Sequence, residues 1–417
     1  MTVTPTAGLR DLTIEAMGAQ GDGLAAGPVF APLSLPGETI RARVSGDRAE
    51  IEAVLQASPD RVEPACRHFG HCGGCSLQHW ADGPYLAWKV DHIRKTLARE
   101  RIETDFAPAF EARPGTRRRL ALHARREGGR VSIGFKARKS WRLVEIEACP
   151  VADPRLVAAF PALRRLAGAF FEHPKSAPTL HVTLSQTGLD IDVTGVERKS
   201  GGLSADARMR AAEAAREADM ARVSLAGEVI YQERQPMVRV GPAIVALPPG
   251  SFLQAVAEAE AAMAAYAVQA VKGAGRIADL FCGVGAFTFR LAELAPVYAA
   301  DSAAPAVRAL SSATASAPGL KAITAEARDL SRRPFLASEM KKIDAVVFDP
   351  PRAGAMEQAR EIAASKVPLV VGVSCNPATF ARDARILIDA GFTLREVLPV
   401  DQFLWSPHVE LVGVFSR

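Results

Sequence analysis

Arg276-Ile277-Ala278-Asp279-Leu280-Phe281-Cys282-Gly283-Val284-Gly285-Ala286-Phe287 reads as a short apolar strand, a glycine turn and the start of a helix. Glycines in such a turn let a ligand approach the backbone at a helix N-terminus. An alanine-rich helix, Glu258 to Val271, precedes it. The next apolar run, Val297-Tyr298-Ala299-Ala300-Asp301, reads as a second strand that ends in an acid. An acid there can accept both hydroxyls of a ribose. The turn carries G-x-G with no third glycine and offers no pyrophosphate cradle. Asp279-x-Phe281-x-Gly283-x-Gly285 therefore fits S-adenosylmethionine better than a dinucleotide. Asp329, after Ala325-Glu326-Ala327-Arg328, falls where an adenine contact is expected, and Cys282 reads as packing. The fold class is α/β, with a Rossmann-like sheet in the C-terminal part.

Further along, Ile343 to Phe348 reads as a third strand that ends in Asp349-Pro350-Pro351-Arg352. Two prolines make a rigid turn with few donors, which holds Asp349 at the sheet edge, facing the reactive end of the cofactor. Leu369-Val370-Val371 then runs through Gly372 and Val373 into Ser374-Cys375-Asn376-Pro377, and a helical pattern starts at Thr379-Phe380. Cys375 thus sits at the carboxyl end of a buried strand, where open α/β sheets bind their ligands. A thiolate there is a candidate nucleophile; the plainer reading is a small buried hydrophobe. Val397 to Val400 and Glu410 to Phe415 read as two more strands. Glu410 is either a solvated strand start or a general base.

Upstream, the chain changes character. Cys66, Cys72 and Cys75 make C-x5-C-x2-C, and Cys149 precedes Pro150 as cluster cysteines often do. In a reducing compartment these are not structural disulfides. Four soft thiolates suit an iron–sulfur cluster or zinc, and His68, His71 and His79 leave zinc open on chemistry alone. The spacing is not the C-x3-C-x2-C of radical enzymes. Residues 1–57 read as short strands with a glycine-rich turn from Gly18 to Gly27, the pattern of a small barrel. Glycines near 21–25, then Leu35-Pro36-Gly37-Glu38, then Arg61-Val62-Glu63-Pro64 resemble the TRAM domain, an OB-like RNA-binding module.

Trp80 to Arg101 has the spacing of an amphipathic helix through Leu86, Val90, Ile93 and Leu97, with Lys89, Arg94, Lys95 and Arg99 on a solvated face. Residues 113–142 carry eleven cations, from Arg113 and Arg117 to Lys139 and Arg142, opposed only by Glu127. They alternate around Gly128-Gly129 as a hairpin whose basic face suits a phosphate backbone. Beyond it, Leu156 to Phe171 and Ala205 to Ala218 read as helices and His181 to Val193 as one strand. Gly201-Gly202 and the Ala/Arg/Glu stretch after them read as an exposed excursion. Gln254, after Leu247-Pro248-Pro249-Gly250-Ser251-Phe252-Leu253, is a cleft residue able to read an amide edge, or a helix cap.

Overall, 417 residues suggest two or three domains. The net charge of +5 is small, so the clustering of the cations says more than their number. No apolar run approaches a membrane span, and Met1 to Arg10 does not read as a leader. The expectation is a cytoplasmic protein that binds no membrane.

Together these motifs resemble the RNA 5-methyluridine methyltransferase family over almost the whole chain. The resemblance rests on the TRAM-like start, C-x5-C-x2-C with a later Cys-Pro, Phe252-x-Gln254, DLFCGVG at 279–285, FDPPR at 348–352, SCNP at 374–377 and HVEL at 408–411. It implies three parts: a TRAM barrel at 1–57, a central α+β RNA-binding domain at 58–245, and a class I methyltransferase domain at 246–417 on which helix 83–101 packs. It implies a [4Fe-4S] cluster on Cys66, Cys72, Cys75 and Cys149. It implies S-adenosylmethionine contacts from Gln254, Phe281, Gly283, Gly285, Asp301 and Asp329, with Asp349 at the reaction centre. Cys375 would be the nucleophile and Glu410 the base. The implied partner is RNA, 23S ribosomal RNA ahead of transfer RNA, and the implied state a monomer. Val256 and Ala286 stand where the family often has Asn. Two rival readings are an RNA 5-methylcytosine methyltransferase and a silent cluster-bearing RNA binder. One large cytosine group has a second cysteine where this chain has Arg352, and the intact Asp349, Cys375 and Glu410 set weighs against a silent protein.

Overall fold

A computed structural model describes residues 8–197 and 202–417. Most of the stretch Met1 to Arg10, read as carrying no leader, and Gly201 therefore lie outside the described residues. The C-terminal half is built on one sheet. Its strands lie in the order Ile323–Ala327, Val297–Asp301, Ile277–Leu280, Ala345–Phe348, Leu369–Ser374, Glu410–Ser416, Thr393–Asp401. The first five are parallel; Glu410–Ser416 is antiparallel and wedged between Leu369–Ser374 and Thr393–Asp401. The central strands are buried on both faces and rich in Val and Ala, as parallel strands covered by helices must be. One core, with Met263, Phe287 and Val347, fills one side. The other holds Phe348, Phe380 and Phe415.

The far edge of this sheet is not closed by its own half of the chain. Asp105–Phe106 and Phe110–Glu111 pair in parallel with Thr393–Asp401 and cover that edge. The helix Asp82–Arg99 just before them places Ile93 and Leu97 in the same core as Phe380 and Phe415. Its solvated face is smaller than its charges suggest. Lys89 is 0% exposed, and its ammonium pairs with Asp401 at 2.6 Å and donates to the Phe403 carbonyl at 3.2 Å. A lysine is buried in this way only where a carboxylate waits for it.

Residues 119–232 form a second sheet of seven strands. Arg119–Glu127 and Arg130–Lys136 make the hairpin around Gly128-Gly129. The segment read as one strand is two, Thr179–Ser185 and Gly188–Thr194, turning at Gln186-Thr187. Alternation continues across so tight a turn, so the pattern does not mark it. The helix Ala205–Glu217 is no excursion either: Ala207, Ala211 and Ala215 are buried in the core with Leu163 and Leu166.

Five strands at the N-terminus close a barrel. One of them, Asp22–Ala25, lies inside the stretch read as a turn, because glycines there serve close strand packing rather than a loop. Glu38 and Arg61, from the two motifs read as TRAM-like, form a buried pair at 2.5 Å. Burial pushes Glu38 up, but Arg61 and the Leu35 and Ser58 N–H groups outweigh it and hold the carboxyl below its usual range. Asp22 ties the barrel to the hairpin sheet by pairing with Arg138 as well as Arg48. Among the described residues no helix is long and apolar enough to cross a membrane.

Candidate active site

The strand order reverses between Ile277–Leu280 and Ala345–Phe348, and a crevice opens there at the carboxyl ends. On one side is the turn Phe281 to Gly285. Phe281 has φ +64°, which side chains seldom adopt, and its N–H and that of Cys282 donate to the Ala300 carbonyl. Such a strained residue costs about 1–3 kcal/mol and clusters at ligand sites. Gly285, at φ +101°, has no room for a side chain: a Cβ would stand 2.6 Å from the Phe289 ring. Asp301 accepts from Gly283 N at 2.9 Å and Ala303 N at 2.7 Å, so the acid and the turn hold each other. Asp279 lies beneath, wholly buried, accepting from Thr288 at 2.5 Å with its other oxygen unpaired. Burial pushes its carboxyl up to about 7. Cys282 is buried in the core, as read. Asp329 follows the carboxyl end of Ile323–Ala327, the strand beside Asp301, and Arg328 N donates to the Asp301 carbonyl at 2.8 Å. Asp329 is exposed, accepts from Ser331 N and Oγ, and is held below its usual range by the latter.

On the other side stand Asp349, Cys375 and Glu410. Across the strand pair, Ser374 faces Leu411, so the next positions, Cys375 and Glu410, face each other at the sheet's carboxyl edge. Cys375 is half-buried and immediately precedes the helix Pro377–Asp389, whose N-cap is Asn376. The Asn376 amide and the Thr379 hydroxyl donate to the Arg352 carbonyl at 3.2 and 3.3 Å, which locks the cysteine loop onto the proline turn. Burial, then the Glu410 and Asp349 carboxylates, push the Cys375 thiol up; Arg352 opposes them. Glu410 is pushed up to about 8, first by burial and then by Asp349. Asp349 is pushed up to about 7 by burial, with Gln254 opposing.

One member of this group is not legible in the sequence. Gln402 donates to Gln254 Oε1 at 2.7 Å and to Glu410 Oε2, and accepts from Val256 N at 3.3 Å. Gln254 in turn donates to Asp349 Oδ2 at 3.1 Å. Two amides thus connect the two carboxylates in one chain of hydrogen bonds. Val256, at the position of a departure from the family pattern, supplies its backbone N–H to that chain. Its companion, Ala286, supplies a carbonyl to Arg290 at 2.7 Å.

The segment that carries Gln254 is clamped by the basic zone. Arg118 donates to the Gln254 carbonyl and pairs with Glu260 at 2.7 Å, and Arg119 donates to the Leu253 carbonyl at 2.8 Å. Arg118 and Arg119 therefore serve this junction rather than a solvated basic face, and Arg117 donates to the Arg119 carbonyl at 3.0 Å and lines the cavity of the four cysteines. Burial, then Arg118, bring Arg119 down to about 10.

Cys66, Cys72, Cys75 and Cys149 line one cavity of about 280 Å³. Gly73 seats their loop on the hairpin: its N–H donates to the Lys136 carbonyl, and a Cβ there would come within 2.6 Å of that oxygen. Of the three histidines weighed for zinc, only His68 lines the cavity, and its Nε2 accepts from Glu147 N. Among the described residues, no three His, Cys, Asp or Glu side chains are arranged to hold a metal ion. Four thiols lining one cavity are a donor set of the kind soft metal centres take. Burial drives Cys75 up to about 12 and raises Cys72 and Cys149. A second cavity, of about 210 Å³, shares Gly74, Cys75, Arg117 and Val151 with the first and reaches Gln402 and His408. Ser76 N and Leu77 N both donate to the carbonyl of Trp405, on the loop leading to Glu410.

Comparison with known proteins agrees with this architecture. Residues 242–417 match the family model described as tRNA (Uracil-5-)-methyltransferase. A Caulobacter vibrioides protein named an uncharacterized RNA methyltransferase is 65% identical over 98% of this chain and 100% of its own. The 23S rRNA (uracil(1939)-C(5))-methyltransferase RlmD of Halomonas elongata is 33% identical over 97% of this chain and 88% of its own. The crystal structure of Pyrococcus abyssi tRNA (uracil-54, C5)-methyltransferase with S-adenosyl-L-homocysteine superposes with a TM-score of 0.74, covering 97% of this chain and 99% of that one at 24% identity. That likeness shows a methyltransferase fold, here joined to an N-terminal five-stranded barrel. By its sequence, the chain belongs to the RNA uracil-C5 methyltransferase family.

Proposed function

We propose that this protein methylates C5 of a uridine in RNA, through a covalent adduct on Cys375. The observation that carries this is the facing pair Cys375 and Glu410, beside Asp349 at the switch point of the sheet. C5 of uracil is a poor nucleophile. When Cys375 Sγ bonds to C6, the π electrons move toward C5 and O4 and make C5 electron-rich. Bound S-adenosylmethionine supplies an electrophilic methyl group on a sulfonium. Once C5 carries the methyl, Glu410 takes the C5 proton, the C5–C6 double bond re-forms, and the Cys375 sulfur leaves. Asp349 and Gln254 hold the base and the cofactor. Phe281, Gly283, Gly285 and Asp301 hold the cofactor, and Asp329 closes its adenine end. A paired uridine is unreachable, so the target is flipped out or single-stranded.

We read the chain as a barrel at 1–57, a central RNA-binding domain at 58–245 and a methyltransferase domain at 246–417. The four cysteines would hold a [4Fe-4S] cluster, supplying a rigid wall beside the second cavity. Ribosomal RNA is the favoured target, because the named ribosomal enzyme is similar over nearly the whole chain. The test uses 5-fluorouridine-substituted RNA. Fluorine cannot leave C5 as a proton, so the adduct persists. A denaturation-resistant protein–RNA band, absent in Cys375→Ala and present in Glu410→Gln, is expected; no band with ribosomal or transfer RNA would refute the reading.

A further inference from the structure

Away from the crevice, the outer face of the hairpin sheet holds a groove of about 600 Å³. His123, Arg125, Arg126, Lys136, Trp141 and Phe171 are among the residues that line it, and no Asp or Glu does. Trp141 is 85% exposed, in a protein that buries most of its large apolar side chains. It is not on a loose loop. Ala137 N donates to the Arg142 carbonyl, Ser140 N to the Ala137 carbonyl, and Arg142 N to Ser140 Oγ, so a closed turn holds the indole out. Lys136 Nζ lies 3.9 Å from the ring centroid on one side. Across the groove Arg126 rests on the Phe171 ring and donates to the carbonyls of Gly168 and Phe171. Those bonds satisfy its donors without cancelling its charge. Arg125 pairs with the exposed Glu127, a contact of high-dielectric surface that anions readily displace.

An exposed aromatic face set among uncancelled cations is the arrangement that binds single-stranded nucleic acid, by base stacking and phosphate attraction. The groove's position suits the same RNA. Arg119, at the start of the strand Arg119–Glu127, touches the crevice through the Leu253 carbonyl. Arg125 is six residues further along, about 20 Å at strand rise. We propose that this groove holds an unpaired nucleotide of the substrate RNA, several nucleotides from the methylated uridine, its base stacked on Trp141 and its phosphates against Arg126 and Lys136. This rests on the reading of the protein as an RNA methyltransferase.

The test measures binding of a fluorescein-labelled oligouridylate by anisotropy, independently of methyl transfer. Trp141→Ala should weaken binding about 10-fold, and Trp141→Phe should keep most of it. Lys136→Gln should reduce the slope of log affinity against log salt by about 1. Trp141 is so exposed that its replacement should leave the melting temperature unchanged, which excludes misfolding. Unchanged affinity in Trp141→Ala together with an unchanged salt slope in Lys136→Gln overturns the proposal, including the case in which a protein proves to occupy the groove. If wild type binds RNA yet methylates none, the catalytic reading fails while the groove still stands on these variants.

Discussion

As the proposed base, Glu410 has to be ionised to take a proton, yet burial and the neighbouring Asp349 push it up to about 8. The Gln402 amide is the group that pulls the other way, since its N–H favours the charged carboxylate. In the wild type, kcat/KM should therefore rise as the pH climbs through about 8. Gln402→Leu should move that limb to higher pH and lower kcat at neutral pH by on the order of 10²-fold, the usual cost of a misplaced catalytic group. Tritium release from RNA carrying [5-³H]uridine, followed across pH, reads both. A lower rate with an unmoved limb would mean that Gln402 only packs. Cys375, Asp349 and Glu410 could be read in the sequence because each ends or starts an apolar strand. Gln402 could not, because its partners at 254 and 410 come together only through the register of the folded sheet.

At the scale of elements, periodicity was sufficient for six of the seven long strands of the catalytic sheet and for the helix Asp82–Arg99, but not for the edge strand Ile323–Ala327, whose Thr and Glu blur the apolar pattern. It failed where polarity and burial part company. Lys89 looks solvated by its charge, but its helix lies against the last long strands and delivers the ammonium to Asp401. Breaking a buried pair from one side leaves the other charge stranded. Lys89→Met should cost about 3–5 kcal/mol in denaturant unfolding, and adding Asp401→Leu should recover most of it. A loss below 1 kcal/mol would mean that water reaches the pair. The arginines at 117–119 mislead in the same way: their charge suggests phosphate, whereas their place at the root of the hairpin commits them to carbonyls and to Glu260.

At the scale of the whole molecule, the barrel, the cysteine loop and the catalytic sheet are joined by short links. Leu35, Leu77, Trp80 and Tyr85, one group from three segments, pack together beside Leu404. Residues 105–111 complete the catalytic sheet at its edge. A fragment of residues 246–417 alone should therefore bare an edge strand and fail to show a melting shift with S-adenosylhomocysteine, whereas the full chain should show one. A cooperative, ligand-stabilised fragment would contradict this. The same link governs how the protein is made. Lys89 and Asp401 lie 312 residues apart in the chain. At a ribosome's pace of about 5–20 residues per second, the helix that carries Lys89 is synthesised roughly 15–60 s before its partner strand. Through that interval its apolar face, with Ile93 and Leu97, has nothing to cover it. Chaperones thus have a long claim on this protein at its first long helix.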